Sequence, residues 1–157
     1  MKRCILYYSY EGNTKFVAEE ISKALNIDCF RVRPVNDMNQ TGLLKYVWGG
    51  KQAMMKEKPV LEPFDFDLSI YDEIVVGTPI WSWTIAPAIY TLFEKHLRDK
   101  KITLFYTHEG GDKNFIEKAE KIINKHNRLI HNQGFINVLK QKETTQELLN
   151  AWCQTIK

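Results

Sequence analysis

The chain has no hydrophobic run long enough to cross a membrane, since none approaches the ~18 to 20 residues that a spanning helix needs. The apolar stretch "CILYYS" near the start is short and lacks a small-residue cleavage site. We therefore interpret it as a buried strand and not as a signal peptide. A protein without a membrane span is the expectation.

Cysteine is also scarce. Cys4, Cys29 and Cys153 are far apart, no pair has CxxC spacing, and the four histidines do not cluster with them. This pattern argues against a zinc site and against a disulfide scaffold, and it fits a reducing cytoplasm. We expect each cysteine to pack as a small apolar residue.

The chain also has little excess of positive over negative charge, with a formal net charge of +3. Residues 1–79 carry ten Lys/Arg and eleven Asp/Glu, whereas residues 80–157 carry twelve and eight. No basic run has interleaved aromatics, so nucleic acid is not an expected partner. The basic second half fits a face for an acidic partner or an anionic cofactor, or an ordinary solvated surface.

What the chain does have is the composition of one globular domain over residues 1–157, with 44% hydrophobic and 26% charged residues. Helical and extended patterns alternate along it. Residues 41–55 have a helical tendency weakened by Gly49 and Gly50, and residues 59–71 are predicted to be mostly loop. The predicted strands are 3–8, 28–33, 73–77, 101–106 and 129–139, and the other predicted helices are 13–25, 86–97, 113–125 and 144–156.

Three of the strands are nearly continuous hydrophobic runs, which is typical of a parallel sheet covered on both faces. The fold class is therefore α/β, with five parallel strands and helices on both faces. In such sheets ligands bind at the carboxyl ends of the strands. The loops after the first, third and fourth strands are therefore the candidate site.

The first loop, "SYEGNT", comprises Ser9, Tyr10, Glu11, Gly12, Asn13 and Thr14. Backbone N–H groups at the start of the next helix lack partners within the helix and favour an anion. Gly12 allows a close backbone approach. The loop therefore predicts a phosphate cradle, and the simpler alternative is a helix start capped by Asn13 or Thr14.

The second loop lies within "GTPIWSW" and comprises Thr78, Pro79, Ile80, Trp81, Ser82 and Trp83. An indole at the end of a buried strand can stack on a flat ligand, with Thr78 and Ser82 as hydrogen-bonding groups. The alternative is that both tryptophans belong to the core. The third loop comprises Thr107, His108, Glu109, Gly110, Gly111 and Asp112. Its glycines permit close approach to a planar ligand, although glycines also simply make turns.

Other signatures of this architecture are missing. A low-molecular-weight phosphatase needs Cys-x5-Arg, and Tyr10 and Val35 stand where the arginine would follow Cys4 and Cys29. A phosphotransfer receiver needs a carboxylate where Gly77 ends the third strand. GxGxxG, the dinucleotide-binding motif, does not follow the first strand.

A phosphate cradle followed by aromatic and glycine loops suits a mononucleotide with a flat ring. The combination resembles the flavodoxin family, over nearly the whole chain. "SYEGNT" is similar to the family's phosphate loop, matching at Ser9, Gly12, Asn13 and Thr14 and departing at Glu11, where a hydroxyl residue is usual. The resemblance implies strand order 2-1-3-4-5, FMN as the cofactor, and Trp81 as the residue that stacks on the ring.

The resemblance leaves three functions open. The favoured one is low-potential electron transfer, and the positive net charge then implies redox partners with acidic surfaces. The second is an FMN-dependent NAD(P)H/quinone oxidoreductase, with His108 and Glu109 as candidate proton donors or simply an exposed loop pair. The third is an interaction module without cofactor, which Glu11 favours because a carboxylate repels a phosphate. The oligomeric state is left open.

Overall fold

The computed structural model of the protein describes residues 1–37 and 58–157. The helical tendency predicted for residues 41–55 lies outside them. In chain order the elements are β1 (Arg3–Tyr7), α1 (Asn13–Leu25), β2 (Asp28–Arg31), a 3-10 turn (Leu68–Ile70), β3 (Glu73–Trp81), β4 (Thr84–Ile85), α2 (Pro87–Thr91) with a π-helical turn after it (Leu92–His96), β5 (Lys101–His108), α3 (Phe115–Ile123), β6 (Arg128–Ile136) and α4 (Lys142–Thr155).

The sheet has the order β2-β1-β3-β5-β6, and these five strands run parallel. This confirms the predicted α/β class and the strand order 2-1-3-4-5. The sequence did not predict β4, a two-residue strand that pairs antiparallel with the end of β3. With β4 the sheet has six strands.

Alternate side chains of the central strands enter two separate cores, because successive residues of a strand face opposite sides of the sheet. One core holds Leu6 and Val76 and is covered by α2 and α3. The other holds Ile5 and Val75 and is covered by α1 and α4. The near-continuous hydrophobic runs of the sequence arise from this burial on both faces.

Strand β3 continues four residues beyond the predicted end at Gly77, through Pro79 to Trp81. Its neighbour β1 ends where Tyr7 pairs with Gly77, so Thr78 and Pro79 have no partner in β1. Proline lacks an N–H donor and is tolerated where a strand has an open edge. The other side still pairs with β5, as far as Pro79 opposite Thr107.

The helix predicted over residues 86–97 is regular only over Pro87–Thr91 and then widens into the π turn. The remaining boundaries differ by a few residues. Strand β6 ends at Ile136 and not at residue 139, and α4 begins at Lys142, two residues early. Terminal residues of this kind are set by packing and hydrogen bonding that periodicity does not capture.

All three cysteines are free, with Cys4 and Cys153 buried and Cys29 half-buried. Burial raises the pKa of Cys4 and of Cys29 to about 12. These thiols are therefore neutral packing groups at neutral pH. Among the described residues, no helix is long and apolar enough to cross a membrane, and no group of three or more His, Cys, Asp or Glu could hold a metal ion.

Candidate functional site

The three predicted loops lie together at the carboxyl edge of the sheet, because β1, β3 and β5 are adjacent and parallel. Hydrogen bonds between described residues hold them together. The N–H of Tyr8, just before the first loop, donates to the carbonyl of Gly77, just before the second, at 3.1 Å. The hydroxyls of Thr14 and Thr107 are 2.8 Å apart and buried, which links the first loop directly to the third.

The first loop turns at Gly12, whose φ of 102° lies in the left-handed region that favours glycine. Its N–H donates to Ser9 Oγ at 3.2 Å, and its carbonyl accepts the N–H of Phe16 at 3.0 Å. Helix α1 has no side-chain cap, so the simpler interpretation as a helix capped by Asn13 or Thr14 is wrong. The N–H groups of the first turn therefore receive no side-chain cap, which leaves them for an anion.

Arg31 contacts the first loop, and the sequence did not predict this contact. Its Nη2 donates to the carbonyl of Ser9 at 2.7 Å, which brings a positive charge beside the loop. That charge opposes the negative charge of Glu11, which is exposed. The available signal was position, since Arg31 ends β2 in register with Tyr7 at the end of β1.

The second loop is a hairpin turn between β3 and β4, with Trp81 paired to Thr84. Ser82 and Trp83 form the two-residue turn with φ values of 47° and 59°. Two positive φ angles are typical of a type I′ turn, whose twist matches that of the strands. Trp83 is 54% exposed, so its interpretation as a core residue is wrong.

Trp81 is half-buried and is held edge-on by two tyrosines. Its ring centroid lies 5.6 Å from that of Tyr8 and 6.2 Å from that of Tyr10, with interplanar angles of 88° and 82°. Burial, and then a 2.8 Å hydrogen bond donated to Asp37, raise the pKa of Tyr8 far above its usual value. Tyr8 therefore remains neutral and gives Trp81 an apolar support.

Thr78 was predicted to offer a hydrogen bond to a ligand, and its hydroxyl is already engaged. It donates to the carbonyl of Pro79 at 2.9 Å and accepts the N–H of Ala86 at 3.1 Å. Thr78 is fully buried. In this structure the hydroxyl stabilises the return of the chain from the hairpin into α2, and Pro79 and Ile80 form the strand below the turn.

In the third loop His108 is tied to the backbone. Its Nδ1 accepts the N–H of Gly110 at 3.1 Å, so the neutral ring carries its proton on Nε2. That nitrogen lies 3.9 Å from Asp112 Oδ2, and the side chain is only 10% exposed. The interpretation of His108 and Glu109 as an exposed loop pair is thus wrong for the histidine. Gly111 lies beside the hairpin, since a Cβ there would be 3.9 Å from Trp83 Nε1.

A fourth loop, residues 137–141 between β6 and α4, also reaches this edge and was not predicted. The N–H of Leu139 donates to Asn13 Oδ1 at 3.2 Å, and Lys140 pairs with Glu109 at 3.3 Å. Leu139 Cδ1 would be 3.7 Å from a Cβ at Gly12. Because the segment has no motif, only the topology shows that it borders the first and third loops.

A family model described as "Flavodoxin" matches residues 2–156. Among proteins with curated descriptions, none matches this chain.

Solved structures with the same fold include a Lactobacillus acidophilus flavoprotein in complex with FMN, 25% identical, with a TM-score of 0.73 over 91% of this chain and 95% of that one. A Bacteroides uniformis protein described as a candidate flavoprotein is 19% identical, with a TM-score of 0.78 over 98% and 97%. Oxidised flavodoxin 2 of Bacillus cereus is 14% identical, with a TM-score of 0.58 over 98% and 96%. With a family match that spans almost every residue, this chain belongs to the flavodoxin family.

Proposed function

We propose that this chain binds FMN at the carboxyl edge of its sheet and transfers electrons between partner proteins. The observation that carries the proposal is the start of α1, where a left-handed glycine precedes a first turn without a side-chain cap. Such a helix start binds a phosphate through backbone N–H groups and the helix dipole. FMN carries one phosphate and one flat ring system, which matches one cradle and one aromatic hairpin.

The residues present fit this cofactor. Ser9, Asn13 and Thr14 would hold the phosphate together with the N–H groups of α1. The hairpin indoles would cover the ring, and Gly110 and Gly111 would let the third loop approach it closely. When bound, FMN supplies oxidation and reduction chemistry, and the protein supplies binding, orientation and electrostatics.

The charges near the cradle are compatible with a phosphate dianion. Glu11 is exposed and its carboxylate opposes the anion, whereas the Arg31 guanidinium is fixed 2.7 Å from the Ser9 carbonyl. The exposed Glu11 carboxylate interacts only weakly with a phosphate, because water screens it. The Arg31 guanidinium is held close to the loop, so its attraction for the phosphate is the larger of the two. We therefore favour FMN binding over a module without cofactor.

Electron transfer is the favoured role because the hairpin is a surface feature, with Trp83 more than half exposed. A flat cofactor edge reached through exposed loops can exchange electrons with a docked protein. The net charge of +3 favours partners with acidic surfaces. Three free thiols fit a reducing compartment such as the cytoplasm.

A second candidate, an FMN-dependent NAD(P)H/quinone oxidoreductase, is favoured by one observation. His108 is largely buried in the third loop, and the hydrogen bond from Gly110 fixes its proton on Nε2. An imidazole with a defined proton position is suited to general acid catalysis. Such a group has no necessary role in an electron carrier.

The test is a titration of the purified protein with FMN, followed by fluorescence quenching and by the visible spectrum. We expect saturable quenching and shifted flavin bands. Trp81→Ala and Trp83→Ala should each be titrated, and loss of the stacking indole should weaken FMN binding by about 1 to 3 kcal/mol. No quenching and no shift with the unmodified chain would remove the proposal.

The same loaded protein distinguishes the two redox roles. Under anaerobic conditions, NADPH or NADH alone should leave the flavin of an electron carrier oxidised over minutes. Rapid bleaching by either nucleotide, lost in His108→Gln while FMN still binds, would replace electron transfer by the oxidoreductase role.

A further inference from the structure

The edge of the sheet opposite the candidate site has an open depression of about 490 Å³. Here this feature is called the basic depression. It lies where β5 and β6 begin and where the chain leaves α2 and α3. Its charged lining residues are Arg98, Asp99, Lys100, Lys101, Lys125 and Arg128.

Positive charge is concentrated there. The lining includes five Lys/Arg and one Asp, a formal charge of +4, whereas the whole chain carries only +3. The rest of the chain is therefore slightly negative. A surplus of this kind on one small surface gives the molecule a local positive potential.

Two of the five cations have a role in the fold. The Arg98 guanidinium donates to the carbonyls of Phe93 and Leu97 and so covers the end of the π-helical turn. The Lys100 ammonium donates to the Tyr71 carbonyl at 2.7 Å. Both groups keep their full charge, because a carbonyl carries no net charge to neutralise them.

In the part of the chain that the structure describes, Lys125 of the depression pairs with a carboxylate, that of Glu94, at 3.2 Å. Burial alone would raise the pKa of Glu94, but the hydrogen bond and charge of Lys125, with Lys58 and His126 nearby, lower it. Nearby positive charges lower the pKa of a carboxyl group in this way, because they favour its ionised form. An acidic side chain is therefore already favoured beside the depression.

Lys101 and Arg128 have no such neutralising partner among the described residues. They are the first residues of β5 and β6, they pair directly across these strands, and both are exposed. Like charges at paired positions of adjacent strands destabilise a sheet. A pair of this kind is relieved when an external anion lies across it.

We propose that the basic depression docks an acidic segment of a partner protein. A compact phosphate fits less well, because the backbone N–H groups at this edge already have acceptors: Asp99 donates to His126 O, and Arg128 donates to Lys100 O. The positive charges instead lie on long Lys and Arg side chains around an open rim. Charges spaced in this way can pair with several separate carboxylates of an acidic segment. The lining has no Trp, Tyr or Phe on which nucleic acid bases could stack.

This surface is remote from the candidate site. Lys101 and His108 are the two ends of β5, and seven residue steps at ~3.3 Å place them roughly 23 Å apart. A protein held at the basic depression leaves the loops at the carboxyl edge accessible to a second protein. Docking at the basic depression does not require bound FMN, and a partner held there acts as an anchor.

The experiment uses a synthetic decaglutamate peptide as the probe, titrated calorimetrically into the protein at low and at physiological salt. Binding should weaken as salt rises, because exposed charges are screened. The variant pair Lys101→Glu with Arg128→Glu should weaken binding about tenfold or more. A milder pair, Lys101→Gln with Arg128→Gln, should weaken it less and protects the test against failure to fold.

The matched control is Lys113→Glu with Lys118→Glu, two exposed lysines near the start of α3, with the same change of total charge. It should retain binding within about threefold. Equal losses in both pairs would overturn the proposal, because binding would then follow net charge alone. So would absent binding at low salt, displacement of the peptide by equimolar inorganic phosphate, or tighter binding of a ten-residue oligothymidylate.

Discussion

Ser82 and Trp83 hold backbone angles that glycine adopts without strain, at φ 47° and 59°. A left-handed conformation costs a residue with a side chain about 1 to 2 kcal/mol. Strain of this kind concentrates at functional positions. Here the strained turn presents an indole at the edge of the candidate site, and the two residues can be separated by experiment.

Ser82→Gly relieves strain and retains the indole, whereas Trp83→Gly relieves strain and removes it. Glycine loses more conformational entropy on folding, which offsets part of the relieved strain. Each variant should therefore be more stable by ~0.5 to 1 kcal/mol. Only Trp83→Gly should weaken FMN binding, by roughly tenfold. Urea unfolding and FMN titration measure the two effects, and equal FMN affinity in both variants would mean that Trp83 does not contact the ring.

At the scale of secondary-structure elements, hydrophobic periodicity predicted α1 with its observed bounds and β1 within one residue. It did not predict β4, because a two-residue strand has no period. It ended β3 at Gly77, because the open edge that admits Pro79 depends on where β1 stops. The π turn after Thr91 was missed as well, because its residues have the same apolar pattern as a regular helix.

One close approach between elements is specified by a glycine. A Cβ at Gly77 in β3 would lie 2.1 Å from Phe105 Cζ, across the pair with β5. Gly77→Ala should therefore destabilise the protein by about 1 to 3 kcal/mol or more, since the ring has to move within a packed core. Thermal unfolding measures the loss.

Gly111→Ala is the matched control, because a Cβ there meets only Trp83 Nε1 at 3.9 Å, an ordinary contact. It should change stability by less than ~0.5 kcal/mol. Comparable destabilisation in the two variants would show that the Phe105 ring is not what requires glycine at position 77.

Across the protein as a whole, one carboxylate connects segments that are far apart in sequence. Glu94, after α2, pairs with Lys58 at 3.7 Å and with Lys125 at 3.2 Å. Its folded pKa lies below the ordinary value of 4.5, despite burial, because of these lysines. The stabilisation is thus present above the unfolded pKa and is lost as pH falls through the folded one.

Glu94→Gln should accordingly lower the melting temperature at pH 7, and the difference should shrink steadily once the pH falls below about 4.5. Scanning calorimetry across pH 3 to 7 measures this. Glu117→Gln, in an exposed pair with Lys121, is the control and should have little effect at any pH. A Glu94→Gln difference that stays constant with pH would mean that packing, and not charge, stabilises this junction.

The sequence predicted the three loops of the candidate site because each follows a recognisable buried strand. The FMN of the Lactobacillus acidophilus relative agrees with the predicted cofactor. The contacts that connect the loops could not be predicted from the sequence. They are the Thr14–Thr107 hydroxyl pair, the Arg31 hydrogen bond to Ser9 and the contact of the loop at residues 137–141. These join residues from different strands, and only the folded sheet shows which of them meet.

The β3–β4 hairpin has a spectroscopic consequence. Trp81 and Trp83 lie at the candidate site in different surroundings, one half-buried between tyrosines and the other more than half exposed, while Trp152 on α4 is buried in the core. Emission from an indole moves to shorter wavelength as water is excluded from it. The protein therefore has an intrinsic optical reporter at the edge where its ligand is expected, and occupancy can be followed there without a dye or a label.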